Sequence, residues 1–220
     1  MANSVHAALL KKSVAKWNYW REDNPEIKPD LVRADLRAAN LKKANLFQSN
    51  LRGANLQGAV LDKAHFAGSD LKGVNFNDTD CRGVQFHDTL LRGCSFLKAN
   101  LRKVDLSNHD LRGVDFSEAD LRKTNLRNSD LREARLFKAD LRSTLLAEAN
   151  LVAAYLSSAL MQGTDLQQTN LGRAVLRYVI DLTAAQIQSA KIDRGTKVPD
   201  YLEIHWISEN EFRCEEKAIV

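Results

Sequence analysis

The sequence predicts an all-β solenoid, in which one short coil is repeated and stacked into a rod. Every fifth residue from Leu31 to Leu176 is Leu, Phe, Cys or Met, over thirty positions without an insertion. Two residues before almost every one of these centres stands a small or β-branched residue, and His109 is the one large polar exception. The residue just before each centre is usually Asp or Asn. Self-similarity at a fixed short period is typical of repeat architectures.

The period of five determines the shape of the coil. In a helix, every fifth side chain would point in a different direction around the axis. In a flat strand, side chains alternate between the two faces every second residue. Neither element therefore places every fifth residue on one side. A chain that turns a corner in each pentad does fit, because the centre and the small residue two before it then point inward. Four corners close a square coil of about twenty residues, and coils stack at about 4.8 Å, so the repeat makes about 7.5 coils.

Individual pentads match a known motif. Residues 34–38 read Ala-Asp-Leu-Arg-Ala, and residues 99–103 read Ala-Asn-Leu-Arg-Lys. In these runs the sequence resembles the pentapeptide repeat protein family, over about two thirds of its length. The resemblance implies a right-handed quadrilateral β-helix. It implies little about activity, because a fold does not fix a function.

The two ends are predicted to cap the rod, since an open solenoid exposes backbone edges. We expect an N-terminal helical cap at 1–29 with a helix over 4–23, the repeat β-helix at 30–178, and a C-terminal capping helix and acidic tail at 179–220. Thr183 and Gln186 fit a capping box that opens a short helix to about Ala190. Residues 202–206 alternate as in a strand, and the tail after them could fold back, pair with another chain or be disordered.

Four faces follow from the register: face 1 starts at Leu31, face 2 at Leu36, face 3 at Leu41 and face 4 at Leu46, each recurring every twenty residues. Five phenylalanines are thereby predicted to stack inside the rod, on face 2 (Phe76, Phe96, Phe116) and face 4 (Phe66, Phe86). Cys81 lies between two of these rings in one coil, where its small side chain makes room for them. An interior position argues against a catalytic thiol.

Composition narrows the class of protein. Hydrophobic residues make up 44% and charged residues 27%, which is too apolar for a disordered chain and too polar for a membrane protein. No window approaches the roughly 20 apolar residues of a membrane helix, and residues 1–12 hold no signal-peptide pattern. Three cysteines are too few for a disulfide scaffold. We therefore expect a cytoplasmic protein without a membrane partner, and the resemblance to pentapeptide repeat proteins implies a bacterial one.

Face 3 is the most basic face, with nine cations against four acids, a net charge of +5. Its arginines and lysines form a candidate docking face for phosphate or an acidic protein patch: Arg82, Arg102, Lys103, Arg122, Lys123 and Arg142. The alternative is a solvated surface in which aspartates two residues before the arginines offset their charge. Aromatic side chains do not alternate with these cations, which argues against a platform for single-stranded nucleic acid.

Face 2 carries outward apolar residues, mostly toward its C-terminal half. They form a candidate partner patch: Leu97, Phe137, Tyr155, Val175 and Tyr178. Scattered exposed hydrophobic residues are normal, and a cap could cover some of these. Aromatic residues aligned on one flat face could instead bind a partner or form a dimer.

No catalytic or metal site is predicted. His87 and Ser107 hold equivalent positions in adjacent coils of face 4, with Asp88 and Asp105 close by, which superficially resembles a Ser/His/Asp arrangement. A flat face offers no cleft, no exclusion of water and no oxyanion donors. The histidines on this face are too few for a metal centre, and we expect no cofactor. His109 points inward by register and is expected to bond a neighbouring backbone carbonyl.

These observations favour a non-enzymatic protein-interaction or scaffold module with an unidentified protein partner, and a homodimer through the C-terminal region is possible. The resemblance implies one alternative, since some family members mimic DNA and bind bacterial type II topoisomerases. That role requires strongly acidic faces, whereas the repeat region here is net basic. A second alternative is nucleic-acid binding through face 3, with affinity that falls steeply as salt rises.

Overall fold

The repeat folds into stacked four-sided coils. In the computed structural model, which describes residues 3–209 and 211–217, parallel bridges join residues twenty apart, from Asp30 with Asn50 to Leu160 with Ile180. The backbone N–H of most centres donates to a carbonyl of the next coil, as Leu31 does to the Asn50 carbonyl at 2.8 Å. Each face contributes a single bridging residue between two turns. The repeat therefore contains isolated bridges in place of long strands, although these bridges stack into a ladder of inter-coil pairs on each face of the rod.

Each corner is formed by a residue whose backbone lies in the left-handed region. The second residue after a centre has a positive φ, from 51° at Ala38 to 73° at Gly83. Glycine adopts this region without strain, and eight of the corners use it. The others, such as Lys103 with φ 61°, hold an ordinary residue there because the ladder on both sides fixes the backbone.

The centres fill the interior of the rod, and the phenylalanine rings stack as predicted. Phe76 and Phe96 are parallel with ring centroids 4.8 Å apart, and Phe116 continues this stack at 5.3 Å. Phe66 and Phe86 stack at 6.0 Å on the opposite face. The two stacks meet edge to face. Four of the five rings therefore have aromatic neighbours both along and across the rod, and Phe116, at the end of its stack, has one along it.

Cys81 lies fully inside the same core. Its Sγ atom is 3.1 Å from the Thr79 hydroxyl oxygen, and burial raises the pKa of the thiol to about 12. A thiol with this pKa stays protonated near neutral pH and is a poor nucleophile.

Two helices precede the first coil: α1 (Ser4–Lys12) and α2 (Val14–Asp23). The prediction of one continuous helix over 4–23 is therefore wrong, because a break at Ser13 divides the segment into two helices. The Ser13 hydroxyl accepts a hydrogen bond from the Lys16 backbone N–H and caps α2. Serine favours such caps because its side chain competes with helical backbone bonding.

Side chains of α2 bond to the open edge of the first coil on face 4. The Trp17 indole N–H donates to the Asn45 carbonyl at 2.8 Å, and the Asn18 side-chain oxygen accepts from the Asn45 N–H at 2.9 Å. Arg21, which is buried, donates to the Phe47 carbonyl at 3.1 Å. These contacts satisfy backbone groups of the first coil that a preceding coil would otherwise pair.

At the other end, α3 (Ala184–Ser189) begins at the predicted capping box. The Gln186 side chain also donates to the Met161 and Thr164 carbonyls. β1 (Leu202–Trp206) confirms the predicted strand and pairs antiparallel with β2 (Phe212–Glu216), so the tail folds back as a hairpin. Residues 1–2, 210 and 218–220 of the two predicted end segments lie outside the described residues. Within the described residues, every helix is too short or too polar to cross a membrane.

Candidate functional site

Ion pairs run along the basic face, and they are continuous from Arg102 to Arg142. Arg82, Arg122 and Arg142 each contact the aspartate two residues earlier, at 2.6, 2.5 and 2.7 Å. Arg122 also reaches across to Asp140 in the next coil at 3.3 Å. Arg102 approaches Asp120 of the following coil at 3.9 Å. The predicted offset of the arginines by aspartates is thus present.

These contacts shift the titration of both partners. The side-chain hydrogen bond from Arg82 is the main cause that lowers the pKa of Asp80, and the same contact raises the pKa of Arg82. The Asp80 carboxylate therefore stays charged near neutral pH and cancels much of the field of Arg82.

The lysines of the candidate basic face differ from its arginines. Lys103 and Lys123 stand at left-handed corners and form no ion pair within the part of the chain that the structure describes. The predicted set of six cations therefore divides into four arginines held by aspartates and two lysines that face solvent.

The apolar patch on face 2 is assembled only in part. Tyr155 and Val175 are bridge partners in adjacent coils, so they stand side by side. Tyr155, Tyr178 and Phe137 are 54%, 70% and 42% exposed. Leu97 is half-buried and lies two coils before Phe137 in the same column, separated from it by a serine. We define the face 2 patch from here on as Phe137, Tyr155, Val175 and Tyr178.

Two further apolar residues continue the exposed surface beyond the next corner. Leu160 and Ile180 are bridge partners on face 3, and Ile180 is 49% exposed. Sequence reasoning missed them because it examined face 3 for charge alone. Leu160 stands directly before the centre Met161, where Asp or Asn is usual, and that departure was the available signal; Ile180 lies twenty residues later, just past the last centre.

The residues that resembled a catalytic arrangement do not form one. The Ser107 hydroxyl donates to the Asp105 carboxylate at 2.7 Å, and no hydrogen bond joins Ser107 to His87 among the described residues. These side chains line a shallow, open depression that also includes His109. No group of three or more His, Cys, Asp or Glu side chains in the described ranges is placed to hold a metal ion.

Comparison with known families agrees with the geometry. The model for pentapeptide repeats in eight copies matches residues 30–66, 39–78, 139–177 and 154–194, and the model for a pentapeptide repeat region matches residues 61–136. The chain belongs to the pentapeptide repeat family. In a comparison with curated proteins, nothing matches this chain.

Solved pentapeptide repeat proteins resemble the chain. HetL from Nostoc sp. strain PCC 7120, a protein involved in heterocyst differentiation regulation, is 28% identical over 77% of this chain and 70% of its own, with a TM-score of 0.57. The Nostoc protein alr5209 is 32% identical over 50% of this chain and 76% of its own, with a TM-score of 0.35. Full-length QnrB1, a plasmid-mediated fluoroquinolone resistance protein, is 16% identical over 70% of this chain and 85% of its own, with a TM-score of 0.28. Pentapeptide repeat proteins are right-handed quadrilateral β-helices, and the likeness to HetL agrees with that fold here.

Proposed function

We propose that this pentapeptide repeat protein is a non-enzymatic interaction module that binds a protein partner through the face 2 patch. The observation that carries the proposal is the pairing of Tyr155 with Val175 on a flat face, with Phe137 and Tyr178 exposed nearby. Aromatic side chains dominate the energetics of protein interfaces because they bury much area and lose little rotamer entropy. A rigid ladder holds these side chains in fixed positions before any partner arrives, which lowers the cost of binding.

The electrostatics of face 3 favour a protein partner over nucleic acid. The arginines of that face are already paired with aspartates, so contact with phosphate would have to compete with existing ion pairs. Lys103 and Lys123 alone of the candidate cations there lack such a partner among the described residues. With Lys43 and Lys63, which also form no ion pair among the described residues, face 3 offers four such lysines, fewer than the roughly 6–10 phosphate contacts of a strongly salt-dependent nucleic-acid binder.

Photo-crosslinking tests the proposal directly. A benzophenone amino acid replaces Tyr155 in one variant and Leu90 in a control variant. Leu90 is a matched control because it also stands directly before a centre and is 45% exposed, but lies on face 1. We expect the Tyr155 variant to capture a protein from lysate in the presence of nuclease, and the Leu90 variant not to capture it.

Substitution then separates the face 2 patch from the basic face. The double variant Phe137→Ser and Tyr155→Ser should abolish capture at a probe placed on Tyr178. Arg82→Ser with Arg122→Ser should leave it unchanged. Capture that disappears with nuclease would assign the binding to nucleic acid. A product of twice the mass of the chain would show a homodimer in place of a separate partner.

A further inference from the structure

The series of bridges between coils is interrupted at one place, whereas on face 3 the amides of Leu61 and Lys63 lose their hydrogen bonds to the next coil but keep the bridge beside them. Within residues 30–180, all of which the structure describes, residues just before a centre bridge to the residue twenty later at every step but two. The missing bridges are Gln85 with Asp105 and Leu90 with Asp110. They are consecutive, and they lie between the same two coils on face 4 and the start of face 1.

Backbone hydrogen bonds are lost at the same place. By register, the N–H groups of Phe86 and Asp88 should donate to the carbonyls of Asp105 and Ser107, and neither bond forms. One coil later, the equivalent bonds are intact. Leu106 donates to the Asn125 carbonyl at 2.8 Å, and Asn108 donates to the Arg127 carbonyl at 3.0 Å. The gap is therefore a local feature and not a property of face 4.

His109 occupies the position that accounts for the gap. Inward residues at this register are small, and several donate a hydroxyl to the centre carbonyl of the preceding coil, as Thr124 does to Leu101 at 2.7 Å. His109 makes the same contact with its ring, since Nε2 lies 2.8 Å from the Phe86 carbonyl oxygen. The imidazole thus occupies the position that a hydroxyl holds in other coils. Because the ring is larger, it separates the two coils locally, and the adjacent backbone groups are left unpaired.

The second ring nitrogen also faces a carbonyl. Nδ1 of His109 lies 2.8 Å from the Ser107 carbonyl oxygen. Both partners can only accept a hydrogen bond, and a neutral imidazole has a single N–H, whereas the protonated ring has two. The protonated ring is therefore the form that satisfies both contacts.

The surrounding groups define the two protonation states. On the preceding coil, the Thr89 hydroxyl is 3.4 Å from Nε2, and His87 and Asp88 line the same depression. On its own coil, Asp110 is paired with Arg112. Partial burial raises the pKa of Asp105, but hydrogen bonds from Ser107 and the charges of His87 and His109 outweigh it, so the net pKa lies below its usual range. Asp105 is thus an anion that favours a cationic His109. The Thr89 hydroxyl donates to the Phe86 carbonyl at 2.7 Å and would have to turn away from it to donate to a neutral ring.

We propose that His109 is a pH-sensitive pin between two coils in the middle of the rod. The protonated ring joins the Phe86 and Ser107 carbonyls across the unpaired ladder. Loss of the proton releases one of the two contacts and loosens residues 84–91 and 105–110. We therefore expect the amides of this region to be more protected when the ring is protonated than when it is neutral. This inference does not depend on the proposed function of the face 2 patch.

Amide hydrogen exchange at single-residue resolution tests the pin. The amides of Thr89 and Leu90 are informative because they are bonded, to the Phe86 and Ser69 carbonyls, inside the loosened segment. After correction for intrinsic rates, we expect their protection to fall by about tenfold between about pH 5.5 and about pH 8. Residues 141–149, where the ladder is intact and which pair with neither loosened segment, serve as the internal control and should show no change.

His109→Thr is the matched variant, because threonine holds the same inward position in several other coils. We expect it to restore the ladder, so that the Phe86 and Asp110 amides become protected, and to abolish the pH dependence at Thr89 and Leu90. Were this variant not to fold, His109→Gln would retain the bulk without the titration and should also remove the pH dependence. The proposal is overturned if the wild-type protein shows no pH dependence at these amides, or if a folded variant retains it.

Discussion

Replacing single phenylalanines by leucine measures how much the aromatic stack stabilises the rod. Phe96 contacts three rings: Phe76 at 4.8 Å, Phe116 at 5.3 Å and Phe86 at 6.2 Å between centroids. Phe116, at the end of the stack, contacts only Phe96 among the described residues. Both side chains are fully buried. Leucine fits either position because it is the residue at most other centres.

The two variants lose a similar side-chain volume, so their difference isolates the ring contacts. Aromatic pairs contribute about 0.5–1.5 kcal/mol each beyond the area they bury. Phe96→Leu removes two more pairs than Phe116→Leu. We therefore expect its free energy of unfolding to be lower than that of Phe116→Leu by about 1–3 kcal/mol.

Urea unfolding followed by circular dichroism provides the comparison, with equal slopes required so that the midpoints report stability. Tryptophan fluorescence is a second probe, and coincidence of the two transitions supports a two-state treatment. Equal losses in the two variants would show that the rings act as bulk hydrophobic filling. A greater loss for Phe116→Leu would refute the reasoning outright.

Three further predictions concern the first coil, the surface ladder and the core thiol. Trp17→Phe should lower stability by about 1–3 kcal/mol in thermal melts, because it leaves the carbonyl at the coil edge unpaired. The Arg132 hydrogen bond lowers the pKa of Asp130, so the pair stabilises the fold above about pH 4 and ceases to do so as the pH falls. Asp130→Asn should therefore cost about 0.2–1 kcal/mol in urea melts at pH 7 and nothing at strongly acid pH. Cys81, with its pKa raised to about 12 by burial, should resist an aromatic disulfide reagent at about pH 8 until urea unfolds the chain, and rapid native labelling would contradict this.

Most of the coil could be predicted because one constraint determines it. A period of five allows only inward centres and inward small residues, so the stacking of Phe76 on Phe96 follows from arithmetic on the sequence. The break at Ser13 could not be predicted in this way. The helix on each side of it has good helical residues, and the break depends on how α1 and α2 pack against the first coil.

The candidate surfaces were less predictable, for a physical reason. The three outward residues of each pentad are free of the packing constraint, so their roles depend on neighbours in other coils. The pairing of Arg122 with Asp120 was foreseeable from a spacing of two. Its second contact, with Asp140 in the next coil, depends on side-chain conformations that no spacing specifies.

In a rod built from one motif, departures from the motif are the positions that carry information. An outward departure such as Tyr155, which stands where Asp or Asn is usual, leaves its side chain exposed and able to contact a partner without changing the ladder. An inward departure such as His109 acts on the ladder itself, and it coincides with the two missing bridges. Cys81 departs inward and leaves the bridges on both sides of it in place, and a smaller side chain between two rings preserves the volume of the core. Whether a departure changes the rod therefore depends on its direction and its size, and both can be assigned from the register alone.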